Sequence, residues 1–422
     1  MADDQVPAPL TAKGYEAEQW GQWATPDSMN EETPELAWPN SVPVYDKMRR
    51  QDAQVRSVLR AVVLPIQRTV WSVDPNGARD EVVQLVAEDL GLPIKGSGPV
   101  PVPRTRDRFS WFDHLRLALL MLPFGHSYFE QEARLDDKGL LRLKRLGHRP
   151  ARTISRFNVA RDGGLVSIEQ LTTMGASGPI DVNRLVAYVY EREGGNWAGI
   201  SLLRPAYKNW VLKDRLMRAN TTTIIRNGLG VPVYEGAEGE KDLTPGLNMA
   251  KQVRSGDDAG AATPNGAKLR LMGVEGTLPD ALPVIRYHDE QIARAVLAHF
   301  LNLGTQTGSW ALGSTFADFF TLSLQALAQQ IADVANQHIV EDLVDWNWGE
   351  SEPAPKLVFE EIGSRQQATA AAIKLLSDAG ILLPDRSLEE AARQQFGLPP
   401  KDPNPRQPVD PNAPVDVSGG TP

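Results

Sequence analysis

The apolar positions between residues 286 and 346 predict two helices joined by a glycine-rich loop. In the first helix, predicted from about His288 to Leu303, apolar residues recur at the i, i+4 spacing of a buried helix face. The loop that follows, Gly304 to Gly313, contains three glycines, and glycine adopts backbone shapes that other residues rarely do. A loop between two strongly predicted helices is held in position. What the loop faces does not follow from these residues alone.

A second, longer helix is predicted from a cap at Ser314 or Thr315 to about Asp345. At 1.5 Å per residue, about thirty residues span roughly 45 Å. Because this is long for an ordinary globular domain, we expect the helix to cross an assembly or to lie along a subunit interface. The apolar stripe that predicts it is formed by Phe316, Phe320, Leu324, Leu327, Ile331 and Val334.

Before residue 200 the pattern predicts helices followed by hairpins. Helices are predicted over Asp46–Leu64, where Pro65 stops or kinks the chain, over Arg79–Leu90 before Gly91, and from a Ser110 cap to about Pro123. Strands are predicted at 70–73, at 127–135 with 140–146, at 153–159 with 165–171, and at 182–190. The fold class is therefore α+β.

Residues Ser201 to Asn227 predict the most basic helix of the chain, with six basic residues opposed by Asp214 alone. Two interpretations stay open, a solvated helix face and contact with an acidic partner or a passing phosphate. Between this helix and the one at His288, two strands and a short helix predict a compact βαβ-like piece over residues 231–285, its strands at 231–235 and 268–272 and its helix at 244–253.

Both ends of the chain are predicted to be disordered. Residues 1–41 have the Pro, Asp and Glu content of a disordered acidic arm, although Trp20, Trp23 and Trp38 allow the alternative that the arm docks onto a neighbouring subunit. Towards the other end, a strand is predicted at 357–359, helices at 366–379 and 388–396, and a disordered tail at 399–422.

Composition narrows the class of protein. The 422 residues lead us to expect two to three domains, and the absence of cysteine excludes disulfides, thiolate zinc sites and cysteine nucleophiles. We expect neither a signal peptide nor a membrane span, because the first residues are acidic and the most apolar run, Leu115 to Leu122, is far shorter than ~20 residues. Most of the net charge of −9 lies in the first 46 residues, so the body is close to neutral. A near-neutral body argues against tight, phosphate-driven binding of nucleic acid.

Candidate chemistry is missing from the sequence. It contains no P-loop, no dinucleotide fingerprint and no G-x-S-x-G elbow. The six histidines are widely spread without the spacing of metal ligands, and the loop at 304–313 has neither lysine nor a carboxylate. We therefore expect no catalytic residues, no metal site and no cofactor.

Several local strings, in their order and spacing, match a known pattern. They are Tyr45-Asp46-Lys47-Met48 with Val70-Trp71-Ser72-Val73, Gly163-Gly164 with Ile168 and Gln170, Gly199 to Arg204 with Asn227 to Pro232, Asp289 to Ala293 with Gly313-Ser314, and Leu343-Val344 with Asn347, Gly349 and Pro355. Over roughly residues 42 to 400 the chain resembles the portal proteins of tailed bacteriophages, in particular the Mu-like branch of actinobacterial phages and prophages.

This resemblance implies a phage portal fold with a wing, a two-helix stem, a small α/β clip, a long wing and tunnel helix, and a helical crown. In this chain those parts would be the wing (42–200), stem helix 1 (201–230), the clip (231–285), stem helix 2 (286–303), the tunnel loop (304–314), the long wing helix with a closing strand (315–363) and the crown (364–398).

The resemblance also implies a function as the ring, usually of twelve subunits, at one capsid vertex through which the viral genome is packaged and ejected. Its partners would be other copies of the chain, double-stranded DNA passing without sequence preference, the terminase large subunit, major capsid and scaffold proteins and the head–tail adaptor, with no membrane. It would be made in the host bacterial cytoplasm and found in the virion. The tunnel loop would face DNA through Gln306, Thr307, Ser309, Trp310 and Leu312, and the stem would contact DNA or capsid through Lys213, Arg218 and Arg226.

Two other functions are open as alternatives. A minor head or adaptor protein would bind other capsid parts without needing the helix–loop–helix of residues 286–346. A packaging-associated nucleic-acid enzyme would need a carboxylate cluster or a nucleotide loop, and the sequence contains neither.

Overall fold

Helices and small antiparallel sheets alternate along the chain. The computed structural model describes residues 31–97, 109–172, 175–176, 178–253, 262–272, 280–296 and 310–362, all within one compact unit that ends at Ile362. The helices are α1 (Ser41–Gln51), α2 (Ala53–Arg68), α3 (Asp80–Leu90), α4 (Trp111–Ala118), α5 (Met121–Phe124), α6 (Tyr207–Leu229), α7 (Thr244–Gln252), α8 (Leu282–Ala295), α9 (Trp310–Ala335) and α10 (Glu341–Trp348). The strands are β1 (Trp71–Asp74), β2 (His126–Leu135), β3 (Leu141–Arg149), β4 (Ile154–Val159), β5 (Leu165–Thr172), β6 (Gly175–Ala176), β7 (Ile180–Asp181), β8 (Leu185–Val189), β9 (Val231–Glu235), β10 (Lys268–Met272) and β11 (Lys356–Phe359).

The first predicted helix is in fact two helices that meet at Asp52. Its backbone is extended, and its side chain accepts hydrogen bonds from the backbone N–H groups of Gln54 and Val55 at 2.8 and 3.0 Å. These are the bonds of a helix N-cap, so α1 ends and α2 begins here. The prediction of one helix over Asp46–Leu64 was therefore wrong. Pro65 does not stop α2, which continues to Arg68 with Ile66 fully buried.

Both predicted hairpins are confirmed, as β2–β3 and β4–β5. Strand β8 pairs with the other edge of β2, which gives a three-stranded sheet in the order β3-β2-β8, and β6 and β7 both pair with β5. The last predicted strand of this region is shorter than 182–190, because residues 182–184 form a 3-10 turn before β8. Strand β1 pairs with β11, opposing Trp71 to Phe359 and closing the unit on itself.

Residues 31–41 are folded onto the rest of the unit. The side chain of Leu36 is buried, and the Trp38 ring lies 4.9 Å from the ring of Phe157 in β4. Burying an apolar side chain contributes about 1.5–3 kcal/mol, which offsets part of the entropy of ordering this segment. The prediction of a disordered arm is wrong for residues 31–41, and Trp38 docks within its own chain. Residues 1–30, with Trp20 and Trp23, lie outside the described ranges.

The long helix starts earlier than predicted and contains a widened turn. Its first residues, Trp310 to Gly313, were assigned to the glycine-rich loop but belong to α9. At Asn336–Val340 the helix passes through a π-helical turn before continuing as α10. The side chain of Asn336 bonds the backbone of Leu357 in both directions, at 2.7 and 3.2 Å, and so ties this turn to β11. In most proteins a π-helix is a single turn of this kind within an α-helix.

The two helices that flank residues 231–285 also begin elsewhere than predicted. Helix α6 starts at Tyr207 rather than Ser201, since residues 201–206 form successive turns and Pro205 disfavours helix at the residue before it. Helix α8 starts at Leu282, six residues before His288, with the N–H of Leu282 bonded to the carboxylate of Asp280 at 2.9 Å. It ends at Ala295, whereas the prediction extended it to Leu303.

Several predictions fall on residues that the structure does not describe. They are the rest of the glycine-rich loop up to Ser309, the helices at 366–379 and 388–396, and the tail at 399–422.

Candidate functional site

Helices α6 and α8, which we call the helix pair, flank the insertion, residues 231–285. The pair is held by a buried ion cluster at its base. The ammonium group of Lys213 in α6 lies 2.8 Å from Asp52 Oδ2 and 2.6 Å from Asp289 Oδ1 of α8. The side chain of Lys213 is 9% exposed. Burial alone would lower the pKa of Lys213, but the hydrogen bonds and charges of the two carboxylates raise it.

The carboxylate of Asp52 joins three elements. Its Oδ1 caps α2 through Gln54 and Val55, while Oδ2 accepts from Lys213. One side chain therefore sets where α1 turns into α2 and where α6 sits against them. The ion cluster holds the helix pair against the α1–α2 corner in one arrangement. Any other arrangement would leave a buried charge unpaired, which is costly.

Polar and apolar contacts add to this anchoring. The ring of His288 in α8 is hydrogen-bonded to the Asn209 side chain of α6 through Nδ1 at 3.0 Å. The side chain of Ile292 is fully buried together with Leu203 and Ala206. The base of the helix pair is thus packed like a core, and α8 shares that core with α2.

The described part of the insertion buries few side chains, among them Ala250 and Ala267. Strands β9 and β10 form an antiparallel ribbon, which corrects the βαβ-like prediction: the strands are neighbours and need no parallel crossover. Helix α7 packs closely on this ribbon, since a Cβ atom on Gly246 would lie 2.0 Å from the Tyr234 ring. The Tyr234 hydroxyl is hydrogen-bonded to Glu240, which also accepts the N–H of Ala237.

Large apolar side chains are left exposed on the insertion and on the adjoining part of the helix pair. A two-stranded ribbon is marginal in water without a surface to pack on, and large exposed apolar side chains around it favour contact with another protein surface. The residues that share this exposure, which we call the apolar surface, are Ile224, Ile225, Val231, Leu243, Leu247, Leu271, Met272, Leu282, Val284 and Tyr287.

The residues predicted to contact DNA or capsid are dispersed. Gln306, Thr307 and Ser309 lie outside the described residues, and Trp310 and Leu312 lie in the first turn of α9, where the backbone alone is described.

The predicted stem cations differ in their environment. Two carboxylates of its own chain already enclose the charge of Lys213, and its contact with DNA or capsid stays a prediction. Arg218 pairs with Asp214 at 2.8 Å on the exposed face of α6, a pairing that contributes little to stability. Arg226 lies one turn before the end of α6, where its backbone is helical.

Asp52, Asn209, His288 and Asp289 are site residues to which the sequence analysis assigned no role, although Asp289 belongs to one of the matching strings. Asp289 and Asp52 each stand beside an apolar helix stripe, which is a weak signal for a buried carboxylate. Their shared partner, Lys213, is 161 residues from Asp52 in sequence, so no local spacing could pair them.

Two buried histidines belong to the core. His114 Nε2 lies 2.9 Å from the Tyr188 hydroxyl, and His126 Nδ1 donates to the carbonyl of Ala198 at 2.8 Å. Burial lowers the pKa of His114 to about 3 and that of His126 to about 4.

Within the described ranges, no three side chains of the His, Asp and Glu types are grouped to hold a metal ion. The helices described there include none with the length and apolar character to span a bilayer.

Solved structures with a similar fold include chains of gene transfer agent particles. Matches include a chain of the virion of a native gene transfer agent (GTA) particle, with a TM-score of 0.53, 13% identity, and coverage of 86% of this chain and 95% of that one. A chain from the neck of the empty GTA particle, computed with C6 symmetry, has a TM-score of 0.55 at 13% identity, over 85% of this chain and 94% of that one. A chain from the neck of the native particle, computed with C12 symmetry, has a TM-score of 0.51 at 13% identity, over 84% and 93%. At this identity the matches establish the fold.

The family is established by sequence. The family model described as the portal protein of Mu bacteriophage matches residues 42–398, from the second residue of α1 to well beyond β11. This range contains the ion cluster, the helix pair and the insertion, and it confirms the resemblance found in the local strings. The chain is therefore a member of the portal protein family of Mu-like bacteriophages.

Proposed function

We propose that copies of this chain assemble into a closed ring, of twelve subunits, that forms the DNA channel at one vertex of the capsid. The apolar surface is the observation that carries this proposal. Met272 of β10 and Tyr287 of α8 are each more than half exposed in the single chain, and in a ring a neighbouring copy can cover the same side chains on every subunit. The match to a neck chain computed with C12 symmetry supports the number twelve.

In this ring, the parts of the chain take the roles that the family implies. The wing comprises residues 42–200, the stem residues 201–230 and 286–303, the clip residues 231–285, the tunnel loop residues 304–314, the long wing helix and closing strand residues 315–363, and the crown residues 364–398. The start of α8 at Leu282 supports a stem helix that begins inside the range given to the clip. The ion cluster at Lys213 then lies where the stem meets the wing.

DNA passes through the channel without being held by charge. The formal net charge of the chain is −9, with most of the excess in the first 46 residues, so the body does not offer the cationic surface that binds phosphates tightly. Contacts from Gln306, Thr307 and Ser309 would be polar and steric, and Trp310 and Leu312 follow them at the start of α9. Each phosphate contact that is left out removes affinity that would slow translocation.

The remaining partners follow from the place of the ring in the virion. The insertion, as the clip, meets the terminase large subunit during packaging and the head–tail adaptor afterwards. The wing and crown meet the major capsid and scaffold proteins. The role is structural rather than catalytic, and the protein is made in the host bacterial cytoplasm before it enters the virion.

Removal of the tunnel loop tests this function. Because Trp310 to Gly313 are helical, the deletion is limited to Gly304–Ser309, which leaves α9 intact. We expect purified rings of the variant to form as for the unaltered chain, while particles fail to package or to retain DNA. A variant in which Gly304–Ser309 is replaced by an equally long Gly-Ser segment separates the effect of chain length from that of side chains. Normal packaging by both variants would refute a role of this loop in the channel.

A further inference from the structure

One face of the β3-β2-β8 sheet carries more cations than carboxylates. Glu130 and Glu132 stand two positions apart in β2, so their side chains leave the sheet on the same side. Each carboxylate binds two cations from the neighbouring segments, which leaves an excess of positive charge on this side. We call it the basic face, and the cations that bind the two glutamates are Lys144, Arg145, Arg149 and Arg184.

The backbone of β3 explains why two cations reach each glutamate. A β-bulge makes Lys144 the extra residue opposite Glu132, so that its side chain and that of Arg145 bind one carboxylate. Opposite the other glutamate, β3 has Gly147. The guanidinium of Arg149 lies over this glycine, 3.5 Å from where a Cβ atom would be. The space left by the missing side chain is thus filled by a second positive charge.

The positive charges of the basic face are the ones that reach solvent. The side chains of Lys144, Arg145 and Arg184 are 53%, 59% and 58% exposed. Those of Glu130 and Glu132 are 13% and 21% exposed. Lysine and arginine have several donors each, so a cation held from beneath by a carboxylate keeps donors free on its outer side. The basic face therefore presents a positive potential to an approaching surface.

The other side of the same strand leads to an acidic surface. Gln131 lies between the two glutamates in β2, so its side chain leaves the sheet on the opposite side. Its amide donates to the carboxylate of Asp342 at 2.6 Å and to the carbonyl of His338 at 2.7 Å. Helix α10 therefore lies behind the strand whose front carries the basic face. We call the carboxylates in and just after this helix the α10 surface: Glu341, Asp342, Asp345 and Glu350.

The α10 surface has no counter-ion in the part of the chain that the structure describes. None of its four carboxylates forms an ion pair there, and Glu341, Asp345 and Glu350 are exposed. Burial raises the pKa of Asp345, and so do the negative charges of Glu350 and Asp342. These groups repel one another, and a cation supplied from outside the chain would relieve that repulsion.

We propose that the basic face of one copy binds the α10 surface of the next copy around the ring. The inference rests on the ring of the proposed function and names one of its contacts. A contact between the front of one subunit and the back of the next is heterologous, and contacts of this kind generate closed rings. The two surfaces carry opposite charge on opposite sides of one sheet, as such a contact requires. Exposed ion pairs contribute little energy each, so this contact selects the orientation of the neighbour.

Double-stranded DNA is the other partner with the charge to bind the basic face. A second copy is favoured because every cation of the face is already held by a carboxylate, which lowers its attraction for phosphate. The chain itself also offers an unpaired acidic surface at the position that a neighbour in a ring presents.

Charge reversal on either side should prevent assembly of the full-length chain. The first variant combines Lys144→Glu with Arg145→Glu, and the second combines Glu341→Lys with Asp345→Lys. In each variant both surfaces have the same sign, so neighbouring copies repel. We expect each variant alone to be folded by circular dichroism and to form at least several-fold fewer rings by mass photometry than the unaltered chain.

A matched control separates this contact from the effect of net charge. Arg56→Glu with Arg60→Glu reverses two charges on the exposed side of α2 and is expected to leave assembly unchanged. Loss of rings in this control to the same extent would overturn the proposal. The milder pair Lys144→Gln with Arg145→Gln should raise the concentration needed for assembly several-fold, and gives a second measurement if the reversed variant does not fold.

Mixing the two reversed variants is the decisive measurement. In an equimolar mixture each surface finds one of opposite sign only when the two variants alternate around the ring. With tags of different mass, we expect closed rings that contain equal numbers of both variants. A single chain that carries all four reversals should assemble as well, because its two surfaces have exchanged their signs.

The possible failures are distinguishable. Rings formed by each reversed variant alone would overturn the proposal and leave the ring itself intact. Normal rings of the first variant together with weaker binding of a short DNA duplex would assign the basic face to phosphate instead. Folded variants that stay apart when mixed would also overturn it. An unaltered chain that forms no ring would contradict the proposed function, and this contact with it.

Discussion

The ammonium group of Lys213 lies 2.6 Å from the carboxylate of Asp289, which joins the two helices of the pair beside the α1–α2 corner. The same lysine reaches Asp52 at 2.8 Å, so the cap of α2 and both helices share one charge. In the ring that we propose, this point would join the stem to the wing.

Replacing Lys213 with Met should destabilise the fold strongly. The substitution keeps the apolar stem of the side chain but leaves the carboxylates of Asp52 and Asp289 without their counter-ion, and breaking a buried pair in this way costs about 3 kcal/mol. Urea unfolding of the isolated protein measures the loss. Lys208→Met on an exposed position of the same helix is the control and should change stability little. Equal effects of the two substitutions would show that the ion cluster does not anchor the pair.

Gly199→Ala should be far more damaging than Gly139→Ala. Both glycines have positive φ, +66° and +80°, so the backbone strain from a side chain is similar, about 1–2 kcal/mol. A Cβ atom at Gly199 would also lie 2.2 Å from the carbonyl oxygen of Gly125, whereas nothing lies within 4 Å of one at Gly139. We expect an additional loss of about 2 kcal/mol or more at Gly199, measured by thermal and urea unfolding. Similar losses at both sites would contradict the close backbone contact.

Acid should destabilise the folded chain before its carboxylates titrate. Burial lowers the pKa of His114 from 6.5 to about 3 and that of His126 to about 4, and burial together with nearby arginines lowers that of His148 to about 4. Below pH 6.5 the unfolded chain binds protons that the folded chain does not, so the free energy of unfolding falls as pH falls. The slope is about 1.4 kcal/mol per pH unit for each fully protonated histidine of the unfolded chain.

The half-buried His148 offers the gentlest test of this pH dependence. His148→Gln should reduce the slope of the free energy of unfolding against pH between pH 6.5 and 5, by up to the contribution of one bound proton, about 1.4 kcal/mol per pH unit. His338→Gln, at an exposed position, serves as the control. Stability that does not change across this window in the unaltered chain would contradict the burial of these rings.

Met272→Asp should abolish ring assembly without unfolding the chain. Met272 is 53% exposed in the single chain, so a carboxylate there stays solvated in the monomer but would be buried against a neighbour. Leu135→Asp, at a residue that is 67% exposed on the β2–β3 hairpin, is the matched control. Analytical ultracentrifugation and circular dichroism together report assembly and fold. Intact rings of Met272→Asp would place the apolar surface outside the interface.

Adding positive charge to the tunnel loop should slow DNA. Thr307→Lys introduces one cation per subunit. Each new phosphate contact makes the slope of log K for DNA binding against log salt concentration more negative by about one. We expect slower packaging that recovers as ionic strength rises, while Thr307→Ala packages normally. An identical rate for the lysine and alanine variants at low salt would mean that residue 307 does not face DNA.

Local chemistry is what the sequence predicted well. The turn residues at Asp136 to Gly139 and at Asp162-Gly163 place both hairpins, and the Ser110 cap starts α4 as expected. These features depend on residues a few positions apart, where turn and cap chemistry act directly.

Features that depend on distant partners were missed or misplaced. The break at Asp52 interrupts apolar spacing that fits one continuous helix. Besides capping α2, the Asp52 carboxylate binds Lys213, which only the tertiary fold brings near. Asp280 and Pro283 are residues typical of a helix start, and α8 does begin there, at Leu282. The apolar spacing is regular only from His288 onwards, so the predicted start lay six residues too late. The apolar surface of the insertion consists of the residue types that also form small cores. The sequence alone therefore cannot show that these side chains are exposed.

Imaging of the purified full-length protein by electron microscopy, with its mass measured by mass photometry at micromolar concentration, tests whether this chain builds a channel. The predicted result is a closed ring with a central opening and a mass of about 560 kDa, twelve times the 46.3 kDa of one chain. A population of monomers alone, or open assemblies without a central opening, would contradict it.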